Sequence, residues 1–352
     1  MKFYKKISLI LVFILGTLLL AGCGKDSKTD PSNNSSSEPL SKTELVIGTV
    51  CTITLYDKKD SAIIDEAFAR LSQLENILSI NKENTELDEV NANAGIKPVK
   101  VTEDTMTVVK EGLEFSKLSK GALDITIGPL VKLWGIGTEG ARLPSEEEIN
   151  TAKALVNYEN VELDENNNTI YLKEKGMIID LGAIAKGYAA DEVVKILKAN
   201  GVTSAIVDLG GNIFTVGEKV DGSPWKVGVQ NPEEARNDTI GFVSVKNKSI
   251  VTSGVYERYF TEDGKNYHHI LNPETGYPYE NNILGVSIIS DTSIDGDSLS
   301  TTLFALGVDE GLKLINSLDG VDAIFITKDH SLYLSENFKE IFTLTNNDFK
   351  IK

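Results

Sequence analysis

Residues 183–199, AIAKGYAADEVVKILKA, run into Asn200-Gly201 and then, from Ala205, into AIVDLGGNIFTV. The first stretch reads as a helix, and Asn200-Gly201 is the C-cap signal that ends it. From Ala205 to Ile289 the chain turns strand-like, in short β-rich runs separated by Gly, Asn and Pro turns. Upstream, Ile63, Ile64, Ala67, Leu71, Leu74 and Leu78 fall at helical spacing over residues 60–79, and a second helix is predicted from Thr105 to Leu118. The β-branched run Leu45 to Tyr56 reads as one strand, with Cys51 inside it as a small buried apolar residue. Downstream, a helix is predicted from Ser298 to Leu306, closed by Gly307. Helices segregate from strands rather than alternating with them, which predicts an α+β fold in preference to a doubly wound sheet.

The 352 residues are 41% hydrophobic and 25% charged, a globular composition that excludes wholesale disorder, collagen-like repeats and coiled coil. The net charge of −17 argues against a nucleic-acid partner, which needs a basic face to meet. Two Cys cannot make a disulfide scaffold or a four-thiolate metal site, and three His leave little room for a His-rich zinc centre.

The first 22 residues read as an address. Lys2, Lys5 and Lys6 precede an apolar run from Ile7 to Leu20 that is too short for a comfortable span of about 20 residues. It ends in Leu20-Ala21-Gly22-Cys23, which resembles a bacterial lipobox, with Cys23 lipidated; an ordinary signal peptide is the alternative. Removing residues 1–22 leaves 32 Lys and Arg against 52 acids, a net charge of −20. Ser, Asn and Pro dominate residues 24–42, so 23–43 is expected to be a lipidated tether. The expected location is the outer side of the cell membrane.

Four clusters carry candidate chemistry. They are Gly121-Ala122-Leu123-Asp124 through Pro129; Asp180-Leu181-Gly182-Ala183-Ile184-Ala185-Lys186-Gly187 with Asp208-Leu209-Gly210-Gly211-Asn212; Thr252-Ser253-Gly254 through Phe260 with Tyr267-His268-His269-Ile270; and Gly296-Asp297-Ser298-Leu299-Ser300-Thr301. Each alone has a plainer reading, such as a turn at Gly210-Gly211 or an N-cap at Asp297. Gly135-Ile136-Gly137-Thr138-Glu139-Gly140 fits the dinucleotide pattern in letters but lacks a strand before it and a helix after it, so it reads as a loop. Asp297 and Thr301, spaced i, i+4, put a carboxylate and a hydroxyl on one helical face. Oxygen donors of this kind suit Mg²⁺ with phosphates completing its shell, and a metal bridge lets an acidic protein hold a phosphorylated substrate. Adjacent His268 and His269 cannot share one face of an extended segment, so one of them is expected to serve as general base.

Taken in order, these clusters resemble the ApbE family of FAD:protein FMN transferases over residues 44–345. The resemblance implies a single α+β catalytic unit of two joined subdomains, with FAD as substrate and Mg²⁺ as cofactor. FMN would pass through a phosphoester to a Thr of a partner protein, with AMP released. It places Ala122, Leu123, Asp124, Asp180, Lys186 and Ile270 at FAD, and the Ala183 carbonyl, Asp297 and Thr301 at Mg²⁺. His269 falls at the base for the acceptor hydroxyl. Acceptors are expected to carry an S/T-G-A-T-like motif, with outward-facing membrane redox subunits as natural candidates. Two positions depart from the family's pattern: Ile47 stands where Met is frequent, and Asn81 where an aromatic ring is frequent. Gly296 replaces a usual Ala, a change expected to be harmless. Alternatives are an FAD pyrophosphatase with the same metal site and a non-catalytic flavin-binding lipoprotein.

Overall fold

The strand expected over Leu45–Tyr56 is instead one arm and the turn of a hairpin, in the computed structural model that describes residues 38–234 and 238–352. Strands β1 (Leu40–Val46) and β2 (Thr49–Leu55) pair antiparallel in the register Val46↔Thr49. The two residues between them, Ile47 and Gly48, have φ of 50° and 70°, the positive values that a tight two-residue hairpin turn requires. A β-branched side chain in this region costs about 1–2 kcal/mol, so nothing in the local letters announces the turn. Strand β1 already starts at Leu40, inside the stretch expected to be tether, and the last strand, Lys350–Ile351, lies beyond residue 345. Residues 1–22, Cys23 and the tether up to residue 37 lie outside the described residues.

Helices α1 (Ser61–Leu78) and α2 (Glu86–Ala92) lead to β3 (Val99–Lys100) and α3 (Glu103–Leu118). Then come α4 (Gly128–Trp134), α5 (Glu146–Lys153), β4 (Val161–Asp164), β5 (Thr169–Leu172) and α6 (Ala185–Ala199). The strand-rich region holds β6 (Ser204–Leu209), β7 (Asn212–Gly217), β8 (Trp225–Gln230), β9 (Thr239–Val245) and β10 (Ser249–Gly254). It continues through β11 (Tyr259–Glu262), β12 (Lys265–His268) and β13 (Ile283–Ser290) to α7 (Ser293–Ile315). The chain closes with β14 (Asp322–Thr327), β15 (Ser331–Leu334), α8 (Phe338–Ile341), β16 (Phe342–Leu344) and β17 (Lys350–Ile351).

Nine strands form the central sheet in the order β1-β2-β6-β7-β10-β13-β14-β15-β17, antiparallel throughout except at β15–β17. Both of its faces are covered, and the alternation along β13 and β14 shows how. Val286, Ile288, Ala323 and Phe325 join the core shared with α1, α3, α6 and α7, whereas Ile289, Ile324 and Ile326 join a second core with the small sheet β16-β9-β8. Helices, large sheet and small sheet therefore stack as three layers. Each fully buried Leu, Ile or Phe contributes about 1.5–3 kcal/mol to that stack. The expected α+β class holds, in one unit spanning residues 38–352.

An ionic knot fastens the helical layer. Arg70 of α1 reaches Asp104 of α3 and Glu192 of α6, at 2.5 and 2.7 Å, and Tyr188 of α6 donates to Asp104 at 2.6 Å. Gly135-to-Gly140 follows α4, and Gly135 ends that helix in the left-handed conformation (φ 59°). The next helix starts only at Glu146, so this is a loop, as expected.

Candidate active site

The helix expected to start at Ser298 starts at Ser293 and runs to Ile315, with a break at Gly307 (φ 82°, ψ 175°). Asp297 is therefore not its N-cap but lies in the second turn, where its buried carboxylate turns toward α6. Oδ1 is 3.0 Å from Lys186 Nζ, and Oδ2 accepts from the Gly187 N–H at 3.0 Å. Gly187 is the third residue of α6, so its N–H is one of the helix-end donors with no partner inside the helix, and Asp297 supplies the acceptor. Two helices can approach this closely because Gly187 has no side chain: a Cβ there would sit 2.3 Å from the Ser293 carbonyl oxygen. Gly296 is similarly confined, since a Cβ would come 2.8 Å from Ser290 Oγ. Ala at that position would push on its neighbours, so here the Gly is a fitted residue.

The other end of the crossing mirrors the first. Neither Ile184 nor Thr292 supplies a side-chain cap to α6 or α7. Asp191 supplies one to α7, accepting from the N–H groups of Ser293 and Ile294 at 2.7 and 2.9 Å. Burial pushes the Asp191 carboxyl up to about 6, against the pull of those two N–H donors. Thr301, one turn beyond Asp297, has its hydroxyl 3.3 Å from Ser253 Oγ of β10. Ser253 also meets Ser300 at 2.7 Å, and Ser300 donates to the Asp297 carbonyl at 2.8 Å.

The remaining segments are stitched alongside. Asp180 N–H donates to the Ile125 carbonyl (2.8 Å), bringing the Ala122–Asp124 turn next to the Asp180–Lys186 stretch. Asp180 Oδ1 accepts from the Gly182 N–H at 2.7 Å, and burial holds this carboxyl above the usual range despite the charges of Arg258 and Lys132. Tyr279 joins two other expected residues: its hydroxyl donates to the Ala122 carbonyl (2.8 Å) and its N–H to the Ile270 carbonyl (3.0 Å). Asp124 is fully engaged by protein, accepting from Thr126 N–H and hydroxyl and from Tyr158 N–H. Leu123 and Ile270 turn their side chains into the core. These three position backbone rather than offer side chains.

The two histidines part ways. His268 is buried; its Nε2 donates to the Tyr279 carbonyl at 2.9 Å and its Nδ1 accepts from the Ile270 N–H at 3.3 Å. His269 is half-buried. Its Nδ1 is 3.2 Å from the Arg258 carbonyl, an acceptor only, so Nδ1 carries the proton and Nε2 keeps a free lone pair. Burial, with the charges of Arg258, His268 and Lys186, pulls the ring down to about 4, well below the ordinary 6.5. At neutral pH it is uncharged.

Asp297, Thr301 and the Ala183 carbonyl are oxygen donors of three kinds, a set that fits a hard divalent cation. Among the described residues no three His, Cys, Asp or Glu side chains converge, so a cation here must draw on hydroxyl and carbonyl oxygens. Lys186, ion-paired with Asp297, places a positive charge at the same carboxylate. Sequence reasoning missed the roles of Asp191, Ser253, Arg258 and Tyr279. Ser253 and Arg258 stood inside the quoted clusters without an assignment, Asp191 lay in the helical stretch just past one of them, and Tyr279 carried no signal at all. At the two departures, Asn81 is exposed and Ile47 sits in its strained turn, so neither puts an aromatic ring at the site.

The chain has known relatives in sequence and in fold. Residues 47–325 match the sequence model of the ApbE family, and the chain belongs to that family. It is 39% identical over 306 residues to the FAD:protein FMN transferase of Treponema pallidum, covering 82% of this chain and 84% of that one. It is 36% identical over 307 residues to a FAD:protein FMN transferase of Klebsiella pneumoniae, covering 87% and 95%. Among solved structures it is similar to the ApbE protein of Thermotoga maritima, with TM-score 0.80 and 31% identity over 86% of this chain and 99% of that one. The flavin transferase ApbE of Vibrio cholerae gives 0.78 and 28%, over 86% and 99%.

Proposed function

We propose that this chain is a Mg²⁺-dependent FAD:protein FMN transferase, attaching FMN through a phosphoester to a threonine of a target protein and releasing AMP. The observation that carries the reading is the crossing of α6 and α7. It sets Asp297 against Lys186, with Thr301 one turn beyond Asp297 and Ala183 just before α6, and the neutral imidazole of His269 feels the same Lys186 charge. Relatives named for this activity support it. Bound Mg²⁺ would neutralise diphosphate charge. Lys186 adds a fixed positive charge to the diphosphate's surroundings, while the Gly187 N–H keeps the Asp297 carboxylate aimed. His269 Nε2 accepts the proton of the acceptor hydroxyl. As that oxygen bonds to the FMN phosphorus, the bond from phosphorus to the bridging oxygen breaks, and the oxygen leaves with AMP.

The lipobox-like Cys23 and the charged n-region support a lipid-anchored enzyme on the outer side of the cell membrane. Membrane redox subunits bearing an S/T-G-A-T-like motif are the partners this location favours. The test is incubation of the purified chain with FAD, Mg²⁺ and such an acceptor, followed by in-gel flavin fluorescence. A covalent fluorescent band that disappears with EDTA is expected. Rapid multiple-turnover AMP release without acceptor, and no band with it, would replace the transferase with a pyrophosphatase.

A further inference from the structure

The described arginines are three, in a chain with a large excess of acid, and two of them are paired. Arg70 holds Asp104 and Glu192, and Arg142 holds Glu148. Arg258, among the described residues, has no side-chain hydrogen bond or ion pair. It is exposed, on the turn between β10 and β11 whose carbonyl holds His269 in place. Its aliphatic stem lies on the Gly135–Gly140 loop: a Cβ on Gly137 would come 3.2 Å from Arg258 Cδ. Its charge bears on both Asp180 and His269, and yet neither forms an ion pair with it. An acid-rich protein that leaves five guanidinium donors unpaired beside its base leaves them for an anion.

We infer that Arg258 binds the diphosphate of the substrate, its guanidinium meeting a non-bridging oxygen of the phosphoryl group next to His269. The inference rests on the transferase reading and adds a residue to it. Lys186 is held by Asp297, whereas Arg258 is free to turn wholly to the ligand. Its planar fork matches two phosphate oxygens, which an ammonium does not. The loop that resembled a dinucleotide fingerprint thus acts by carrying the arginine's stem, with no phosphate on its own backbone.

The experiment compares Arg258→Gln and Arg258→Lys with wild type, using the full chain in EDTA so that turnover is off. Dissociation constants for FAD and for riboflavin, which has no phosphate, are read from flavin fluorescence. Arg258→Gln is expected to weaken FAD by about tenfold or more while leaving riboflavin within about twofold, with Arg258→Lys between. Unchanged FAD affinity, or equal loss for both ligands, overturns the assignment. Both variants should melt with wild type, since the side chain makes no internal bond. Failure of wild type to label an acceptor would instead count against the transferase reading, leaving the phosphate preference of Arg258 to stand or fall on its own measurement.

Discussion

Asp191, on α6, accepts from the first two N–H groups of α7 at 2.7 and 2.9 Å, while Asp297, on α7, accepts from the Gly187 N–H of α6 at 3.0 Å, so each helix begins on a carboxylate of the other. Anions at helix N-termini are favourable through the unpaired N–H groups and the helix dipole. Asp297 thus has two tasks, and substitutions should separate them. Asp297→Asn keeps an oxygen for Gly187 and should unfold near wild type, yet lose the Mg²⁺-induced rise in melting temperature and slow transfer by about 10²-fold or more. Asp297→Ala also strips Lys186 and Gly187 of their partner and should cost a further 1–3 kcal/mol or so in urea unfolding. Equal stability of the two variants would contradict the capping role.

Asp191 makes the crossing pH-sensitive. Its folded pKa, about 6, lies above the unfolded value, so ionisation penalises the folded state. The penalty is absent below the unfolded pKa near 3.9 and complete above 6, reaching about 3 kcal/mol at most. Asp191→Asn carries no such charge. Its unfolding free energy relative to wild type should therefore improve as pH rises from 4 to 6.5, and denaturation at both ends of that window measures the change. A pH-independent difference would refute the raised pKa.

His269 should set the acid limb of transfer. Because protonation removes the acceptor lone pair and the free ring titrates near 4, kcat/KM should hold down to about pH 5 and fall below it, not near 6.5. His269→Ala should slow transfer by about 10²–10⁴-fold with FAD affinity little changed. His268→Ala should do the reverse, lowering stability by 1–3 kcal/mol or so through two lost buried hydrogen bonds while the folded fraction still transfers. Equal catalytic losses at the two positions would defeat the assignment.

The Arg70 knot predicts a graded loss. Arg70→Ala leaves Asp104 without its cation and Glu192 with only Lys195 of its own helix, and should cost about 3–5 kcal/mol. Tyr188→Phe removes one hydrogen bond and should cost about 1–1.5 kcal/mol. Chemical denaturation of both variants gives the two numbers, and a smaller loss for Arg70→Ala than for Tyr188→Phe would count against the knot.

Helical periodicity found α1, α3 and α6 because each buries a continuous apolar stripe, and the β-rich stretch from Ala205 announced the sheet. The β1–β2 hairpin escaped because Ile47 is a poor turn residue that the surrounding packing forces into place. The start of α7 escaped for a related reason: its cap comes from Asp191, about a hundred residues away, and no local letter marks it. At the site, residue types were legible because oxygen donors at helical spacing point to a cation. Which carboxylate was spent inside the protein was not, since Asp124 and Asp297 look alike until their hydrogen-bond partners are known. Alternation set the two histidines on opposite sides and the family resemblance picked out His269, but its depressed pKa depends on burial and on Arg258, which only the tertiary structure supplies.

The partners of Asp297 sit 110 and 111 residues earlier in the chain. Contacts of such separation form late, because the long intervening loop must close before they repay anything. No nascent or truncated chain that stops before α7 has a counter-charge for Lys186, an acceptor for Gly187 or a threonine hydroxyl at the crossing. Synthesis itself therefore acts as a safety catch: the chain gains its reactive centre only when nearly all of it has been made and folded.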